Sequence, residues 1–404
     1  MRICMVTSAP LPPREGIGFY VWNLSRFLVQ QGYQVTIVTR GQRGKPACES
    51  LAGISIWRPR FYPLYPLHVH LHGLFVQRLV RQLEPEVDLF HLHSPLVPPL
   101  RSSRPILVTV HSTRVGATRD LRVTDLGSLL TRFQVPVSIQ IERQTFAQAD
   151  QIAVVARSVA TDLARYDVGK KPAAVLGNGV DTDVFSPGGA NTAGNTGGTY
   201  VLAAGRLAPG KGFEDLIESM GHVARRFPNV RLSIAGAGPL EKPLRARIEQ
   251  MGLDRTVRLL GHVGKRAEMV ALYRGATAFA HASHHEGLPT VLLEAMACEK
   301  GIVCTAAGGA VDAVTDGVNG LLVPPGAPTV LAEAIGRLLD DTRLRTRLGA
   351  AARRTVEDRY SWQAVGSNYE RAYQALLHGR APGECEYVEL DSHLQGGRYS
   401  CIRA

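Results

Sequence analysis

Short β-branched runs alternate with segments of helical period along most of the chain, in two successive series, and this alternation restricts the fold more than any other feature. The first series is RICMVTS, QVTIVT, VDLFHLH, PILVTVH and QIAVVA, and the second is TYVLAAG, VRLSIAG, VRLL, ATAFAHA and GIVCT. Strands that alternate with helices pair in parallel and carry helices on both faces of the sheet. In the first helical segment Val21, Leu24 and Leu28 share one face and Gly32 is a natural stop. The second series predicts helices near 213–227, 240–251, 289–298, 329–339 and 361–377. Between the series, the run SPGGANTAGNTGG from Ser186 to Gly198 has nothing to bury and reads as a flexible connector. The expected architecture is α/β, with two doubly wound domains over residues 1–180 and 181–360. Ligands of open α/β sheets sit beyond the carboxyl ends of the strands, so the site is expected in a cleft between two such domains.

The 404 residues suffice for two sizeable cores. With 45% hydrophobic and 20% charged residues and no apolar run of eighteen, the composition excludes a disordered chain and one with membrane-spanning helices. Six scattered cysteines without a C-x-x-C pair point to reduced thiols rather than structural zinc. The opening MRICMVTSAP has an apolar run too short for a signal peptide, so a cytoplasmic protein is expected. The net charge of +11 is concentrated in the first half: residues 1–180 hold 21 Lys and Arg against 11 Asp and Glu, and residues 181–404 hold 25 against 24. Such a field draws phosphate groups or an anionic membrane surface, although a solvated basic face accounts for it equally. No strand interleaves aromatic and basic residues as base-stacking surfaces do, so nucleic acid is not an expected partner.

The densest cluster is HASHHEGLPTVLLEAMA. On a continuous helix Glu286 and Glu294 would stand about 12 Å apart and could not share a proton. If the helix starts near Pro289, Glu286 lies in the preceding loop and Glu294 in the second turn, and the free N–H groups of Thr290 and Val291 can face an anion. Carboxylates on both sides of such a helix end suit a nucleotide sugar, with hydroxyls at both ends of a diphosphate; two ordinary surface glutamates are the plain alternative. The second cluster, GRLAPGKGFEDLIE, sets Arg206 after an apolar strand and Lys211 five residues on. Two cations there can neutralise charge growing on a departing diphosphate, or can belong to a solvated turn. The spacing of a Walker A loop is absent.

In SAPLPPREGIGFY, Gly16 and Gly18 precede a helix, where the absence of a Cβ lets backbone approach a phosphate. Val21 takes the place of the third glycine of the dinucleotide fingerprint, so a plain turn explains the pair equally. His91, His93 and His111 end two neighbouring strands without an acidic ligand at useful spacing, which argues against metal. His111 is placed either to hydrogen-bond a substrate or to be a satisfied core residue. His68, His70 and His72 invite the same metal idea and fail the same test. Asp181-Thr182-Asp183 is formally an Asp-x-Asp motif, but its position before the Gly-rich run reads as a hinge.

In these motifs the chain resembles family 4 of the retaining glycosyltransferases, GT-B enzymes built from two Rossmann-like domains facing a central cleft. The likeness extends over residues 1 to about 378 and rests on GRLAPGKG, EGLPTVLLEAMA and DGVNGLLVPPG in that order, with NGVDTDVFSP at the domain junction. It implies that Arg206 and Lys211 bind the donor diphosphate, that Glu286 contacts donor sugar hydroxyls and Glu294 the ribose, and that Gly287 belongs to the donor-binding set. Backbone at Thr290 and Val291 would hold phosphate, and Gly261 to Val263 would line the base. Gly16, Gly18 and His111 would lie near the donor phosphate and the transfer point, and the helix over 361–378 would pack back on the first domain. Three places depart from the pattern: Gly-Ile-Gly replaces adjacent glycines, Ala237 stands where an acidic residue is common, and CEKGIVC replaces a small-residue and proline turn. The tail over 379–404 matches nothing in the family and reads as a disordered extension.

The expected activity is transfer of a sugar from a UDP- or GDP-sugar to an acceptor hydroxyl with retention, without metal or cofactor, by positioning and electrostatics. The catalytic set is Arg206, Lys211, Glu286 and His111. WRPRFYPLYPLHVHLHGLFVQRLVRQL over 57–83 mixes arginines, aromatics and an apolar face, and Arg114, Arg119, Arg122 and Arg132 follow His111. With the basic field these suggest peripheral binding to anionic lipid and a lipid or lipid-linked glycan as acceptor, in cell-envelope glycoconjugate synthesis. The rivals are an epimerase or phosphorylase of the same fold, a nicotinamide-dependent oxidoreductase, and a non-catalytic sugar-nucleotide-binding subunit.

Overall fold

The computed structural model describes residues 1–13, 16–41, 47–62, 68–117, 126–166, 171–188, 198–379, 387–388 and 401–402. Residues 189–197, most of the expected connector, lie outside them, as do Arg119 and Arg122. The chain divides into two compact units, Met1–Gly179 with Trp362–Ala404, and Val180–Ser361. The boundary between the units falls between Gly179 and Val180, ahead of the Gly-rich run.

The first unit contains β1 (Arg2–Thr7), α1 (Gly16–Gln30), β2 (Gln34–Val38), β3 (Ala47–Leu51), β4 (Ile54–Arg58), α2 (His68–Leu83), β5 (Leu89–Ser94) and β6 (Ile106–Val110). It continues through α3 (Arg114–Ala117), α4 (Leu126–Gln148), β7 (Gln151–Val154), α5 (Arg157–Leu163) and β8 (Ala173–Val175). Among the described residues the sheet runs β8-β7-β6-β5-β1-β2-β4 in parallel, with β3 antiparallel to β4 at the edge. Strands in the middle of such a sheet are covered on both faces, and all six residues of β5 are buried, its two histidines included. In α1 the buried face includes Tyr20, Val21, Leu24, Phe27 and Leu28, and the chain leaves the helix at Gly32, whose N–H bonds Val29 O at 3.0 Å. His68, His70 and His72 all lie in the helix α2, where positions two apart are rotated by about 200° around the axis.

The second unit contains β9 (Tyr200–Ala204), α6 (Phe213–Arg226), β10 (Arg231–Ala235), α7 (Glu241–Gln250), β11 (Val257–Gly261), α8 (Arg266–Gly275), β12 (Ala278–His281), α9 (Thr290–Ala297) and β13 (Gly301–Thr305). It ends with α10 (Ala310–Ala313), β14 (Leu321–Val323), α11 (Pro328–Asp340) and α12 (Thr342–Arg359). Its strands pair in parallel in the order β11-β10-β9-β12-β13-β14. Leu216, Ile217, Met220 and Val223 of α6 meet Leu331, Ile335 and Leu338 of α11 in one apolar core. Pro328 opens α11, and the Asp341 carboxylate caps α12 by accepting from Leu344 N at 2.9 Å.

The last long helix, α13 (Trp362–His378), belongs to the first unit. A Cβ on Gly366 would lie 2.3 Å from the Phe27 ring, so the absent side chain is what lets α13 approach α1. Beyond it, β15 (Tyr387–Val388) pairs antiparallel with β8, and β16 (Cys401–Ile402) pairs with β15. The described part of the tail is thus strand rather than a free extension, using backbone groups that the edge of β8 leaves open. Among the described residues no helix is long and apolar enough to cross a membrane.

Candidate functional site

In the second unit the loops after β9 and β12 are stitched together. His284 N donates to Gly210 O at 2.8 Å, Ser283 Oγ to the same oxygen at 3.1 Å, and His284 Nε2 lies 2.6 Å from Asp215 Oδ2 on α6. Gly212 has φ +65°, and a Cβ there would sit 1.8 Å from the carbonyl oxygen of Ala282, so this crossing admits only glycine. The first loop carries Arg206, which is exposed, and Lys211, which is half-buried. The second carries Glu286. Its backbone is fixed by Gly309 N, which reaches Glu286 O at 3.2 Å and Gly287 O at 2.9 Å, while Gly308 at φ +55° passes where a Cβ would strike Glu286 O.

The Glu286 side chain is gripped from two sides. Lys211 Nζ donates to Oε1, and His281 Nε2, at the end of β12, lies 2.9 Å from Oε2. Burial alone would raise this carboxyl, but the hydrogen bond and charge of His281, together with those of Lys211, overcome it and hold the group down at about 2. Glu294 behaves oppositely. Burial pushes it up to about 7, against the pull of the Tyr273 hydroxyl, 2.8 Å from Oε2, and of the Arg266 charge. One carboxylate is charged at every ordinary pH, and the other titrates near neutrality.

Pro289 has φ −70° and ψ 120° and stands just before α9, so it caps the helix from outside instead of occupying the first helical position. The N–H groups of Thr290 and Val291 open α9, where they lack intrahelical partners. Gly261 ends β11 at φ +73° with its carbonyl accepting from Gly236 N at 2.8 Å, and Val263, half-buried, follows. The structure therefore places Arg206, Lys211, Gly261, Val263, Glu286, Gly287, Thr290, Val291 and Glu294 all in one unit, on loops and a helix start beyond the carboxyl ends of its strands. Asp181 is otherwise engaged: Oδ1 accepts from Val184 N at 3.1 Å and Oδ2 pairs with Arg266 at 3.2 Å.

The first unit holds His111, Gly16 and Gly18. His111 follows β6, half-buried, with Nε2 3.2 Å from His93 Nδ1 and its ring edge-to-face with Tyr20 at 4.6 Å. Burial takes the His111 imidazole down to about 3, so it is neutral near pH 7. Gly16 begins α1 with open space where a Cβ would be, whereas Gly18 is buried, its Cβ position 3.2–3.3 Å from Pro13 and Pro10 O. Only the first of these glycines leaves room for a ligand.

Sequence reasoning missed the polar chain behind His111. Tyr373 Oη lies 2.7 Å from His91 Nδ1, His91 Nε2 2.7 Å from Thr109 Oγ1, and Thr109 Oγ1 2.9 Å from Tyr369 Oη. Tyr369 Oη is 2.7 Å from Tyr20 Oη, which reaches Gly177 O at 3.2 Å. Tyr20 Oη is the donor to Tyr369 Oη, and the polar chain ties α1, β5 and β6 to α13. Also missed was Glu142 of α4, whose Oε2 accepts from Arg114 N at 3.0 Å and from the Tyr166 hydroxyl, holding the turn that follows His111. Neither network has a local sequence signal, because its members are far apart in the chain.

The family described as Glycosyl transferases group 1 matches residues 190–355, and that described as Glycosyltransferase Family 4 matches residues 14–184. The D-inositol 3-phosphate glycosyltransferase of Corynebacterium glutamicum is 31% identical to this chain, over 96% of it and all of the relative. Among solved structures, sucrose-phosphate synthase from Thermosynechococcus elongatus superposes with a TM-score of 0.79 at 20% identity, covering 94% of this chain and 99% of that one. HepE of Anabaena, in complex with UDP and glucose, gives a TM-score of 0.71 at 18% identity over 93% of this chain and the whole of the other. These two share the fold, two Rossmann-like domains of the GT-B type.

Proposed function

Because this chain belongs to the group 1 glycosyltransferases of family 4 and is a sugar-transferring enzyme, we propose that it moves a sugar from a nucleoside diphosphate donor to an acceptor hydroxyl with retention. The observation that carries this reading is the gathering in one unit of Arg206, Lys211, the open start of α9 and two carboxylates of opposite titration behaviour. UDP is the leading candidate for the nucleotide, since HepE holds UDP and glucose and also UDP-glucose; GDP is the alternative.

In the reaction the bond from the anomeric carbon to the diphosphate oxygen breaks and a bond to the acceptor oxygen forms on the same face. The acceptor proton passes to the departing phosphate oxygen. Arg206, Lys211 and the α9 N–H groups stabilise the charge that builds on that oxygen, so no metal is required. Glu286 orients the donor sugar and Glu294 the ribose. His111, neutral and next to Tyr20, serves the transfer point as a hydrogen-bonding group rather than as an acid.

The basic first half supports an anionic acceptor, and we assign a lipid-linked glycan at an anionic membrane face to that role. The test of the donor site is thermal stabilisation by UDP, GDP, ADP and NAD, each with EDTA, since a ligand at 100 times its Kd adds about 2.7 kcal/mol. A shift with one diphosphate despite EDTA supports the reading; a shift with NAD alone, or only with metal present, overturns it.

A further inference from the structure

The contact between Lys211 and Glu286 has a consequence beyond donor binding. Glu286 has two oxygens and both are occupied: Oε2 by His281, a buried residue at the end of a core strand, and Oε1 by Lys211, a half-buried cation on a loop. The two partners differ in freedom. The His281 ring is fixed by its strand, whereas a lysine ammonium is a point charge on a flexible four-carbon stem that can change partners.

We infer that the Lys211–Glu286 pair is a resting lock, broken when a diphosphate takes Lys211, which frees Oε1 of Glu286 to accept a sugar hydroxyl. This rests on the donor-site reading above and adds an order of events to it. A diphosphate carries more negative charge than one carboxylate, so it outcompetes Glu286 for the ammonium. Once Lys211 has left, Oε1 has lost its donor in a half-buried place and requires another, which an uncharged hydroxyl supplies. His281 meanwhile keeps Oε2 in place, and so acts as a positioning residue. A sugar without diphosphate must share Oε1 with the Lys211 ammonium and gains less from it; a diphosphate without sugar leaves Oε1 bare. After transfer Oε1 is bare again and competes with the spent nucleotide for Lys211, which weakens that binding.

The experiment measures binding of UDP, GDP and ADP by calorimetry to the wild type, Glu286→Gln, Lys211→Met and the double variant, with the ligand-free thermal midpoint as the check of folding. Releasing Lys211 should make Glu286→Gln bind the free diphosphate about three- to tenfold tighter than the wild type does. Lys211→Met should bind it more weakly, and adding Glu286→Gln to Lys211→Met should bring no gain. A second measurement uses the wild type alone: glucose, galactose and mannose are titrated with and without the nucleotide. At least one should bind about fivefold or more tightly when the nucleotide is present. Equal or weaker nucleotide binding by Glu286→Gln, or hexose binding indifferent to nucleotide, overturns the lock while leaving the donor site standing. If no diphosphate binds the wild type, the donor-site reading fails and the lock fails with it.

Discussion

The Tyr273 hydroxyl lies 2.8 Å from Oε2 of Glu294, and it pulls down a carboxyl that burial has pushed up to about 7. If Glu294 receives ribose hydroxyls, its charged form is the better acceptor, so nucleotide affinity should rise as pH rises through about 7. In Glu294→Gln that component should vanish, leaving only the titration of the nucleotide's own phosphate. Tyr273→Phe removes a stabiliser of the charged form and should move the midpoint upward. Calorimetric Kd against pH for the three proteins checks this.

Arg206 is exposed on the β9–α6 loop, and among the described residues no side chain is recorded as its partner. Its work should therefore lie with the ligand rather than with the fold. Arg206→Ala should lower kcat by about 10²- to 10³-fold, the range for removing one donor aimed at transition-state charge, with the thermal midpoint unchanged. Full kcat in the variant would remove the electrostatic account.

His91, His93 and His111 should make the first unit acid-sensitive. All three pKa values lie below the ordinary 6.5, through burial and, for His91 and His93, also through neighbouring histidine charge, so below that pH the unfolded chain takes up protons that the folded one refuses. Stability is full above about 6.5 and lost as pH falls below it; for His111, taken down to about 3, the loss is about 1.4 kcal/mol per pH unit in that window, and His91 and His93 act in the same direction. The tryptophans Trp22, Trp57 and Trp362 all lie in this unit, so indole fluorescence during urea unfolding reads it alone. His91→Gln should give a shallower slope.

Gly366→Ala puts a methyl group into the space of the Phe27 ring. Overpacking at such a crossing costs about 1–3 kcal/mol, and the same fluorescence should show a lower urea midpoint with an unchanged slope. Phe27→Leu in the Gly366→Ala background should recover part of the loss.

If the excess of Lys and Arg in residues 1–180 meets a membrane, the protein should sediment with vesicles rich in anionic lipid at low salt and be released as salt rises. Neutral vesicles should leave it in solution. Unchanged sedimentation with anionic vesicles would count against a lipid-borne acceptor.

The parts legible in the sequence were those whose partners are close in the chain. The alternation of strands and helices sufficed for the parallel sheets, and the spacing of Glu286, Pro289 and Glu294 placed one carboxylate before the helix and one inside it. The β3–β4 hairpin escaped because ACESL has weak strand character; its turn at Ala52 and Gly53, with φ 53° and 78°, was the available signal. His281 escaped because nothing in the apolar run ATAFAHA shows that its last histidine meets a carboxylate five residues later. His91 and Tyr373 are 282 positions apart, and only the path of α13 brings them together.

That path also orders the events of synthesis. Residues 1–179 leave the ribosome before any of α13 exists, and the whole of the second unit is made in between. Until Trp362–His378 emerges, Phe27 has no helix across from it, and His91, Thr109 and Tyr20 lack the tyrosines that complete their hydrogen bonds. The unit that begins first is therefore the one that closes last, and the second unit, continuous in the chain, can complete its core while the first still waits.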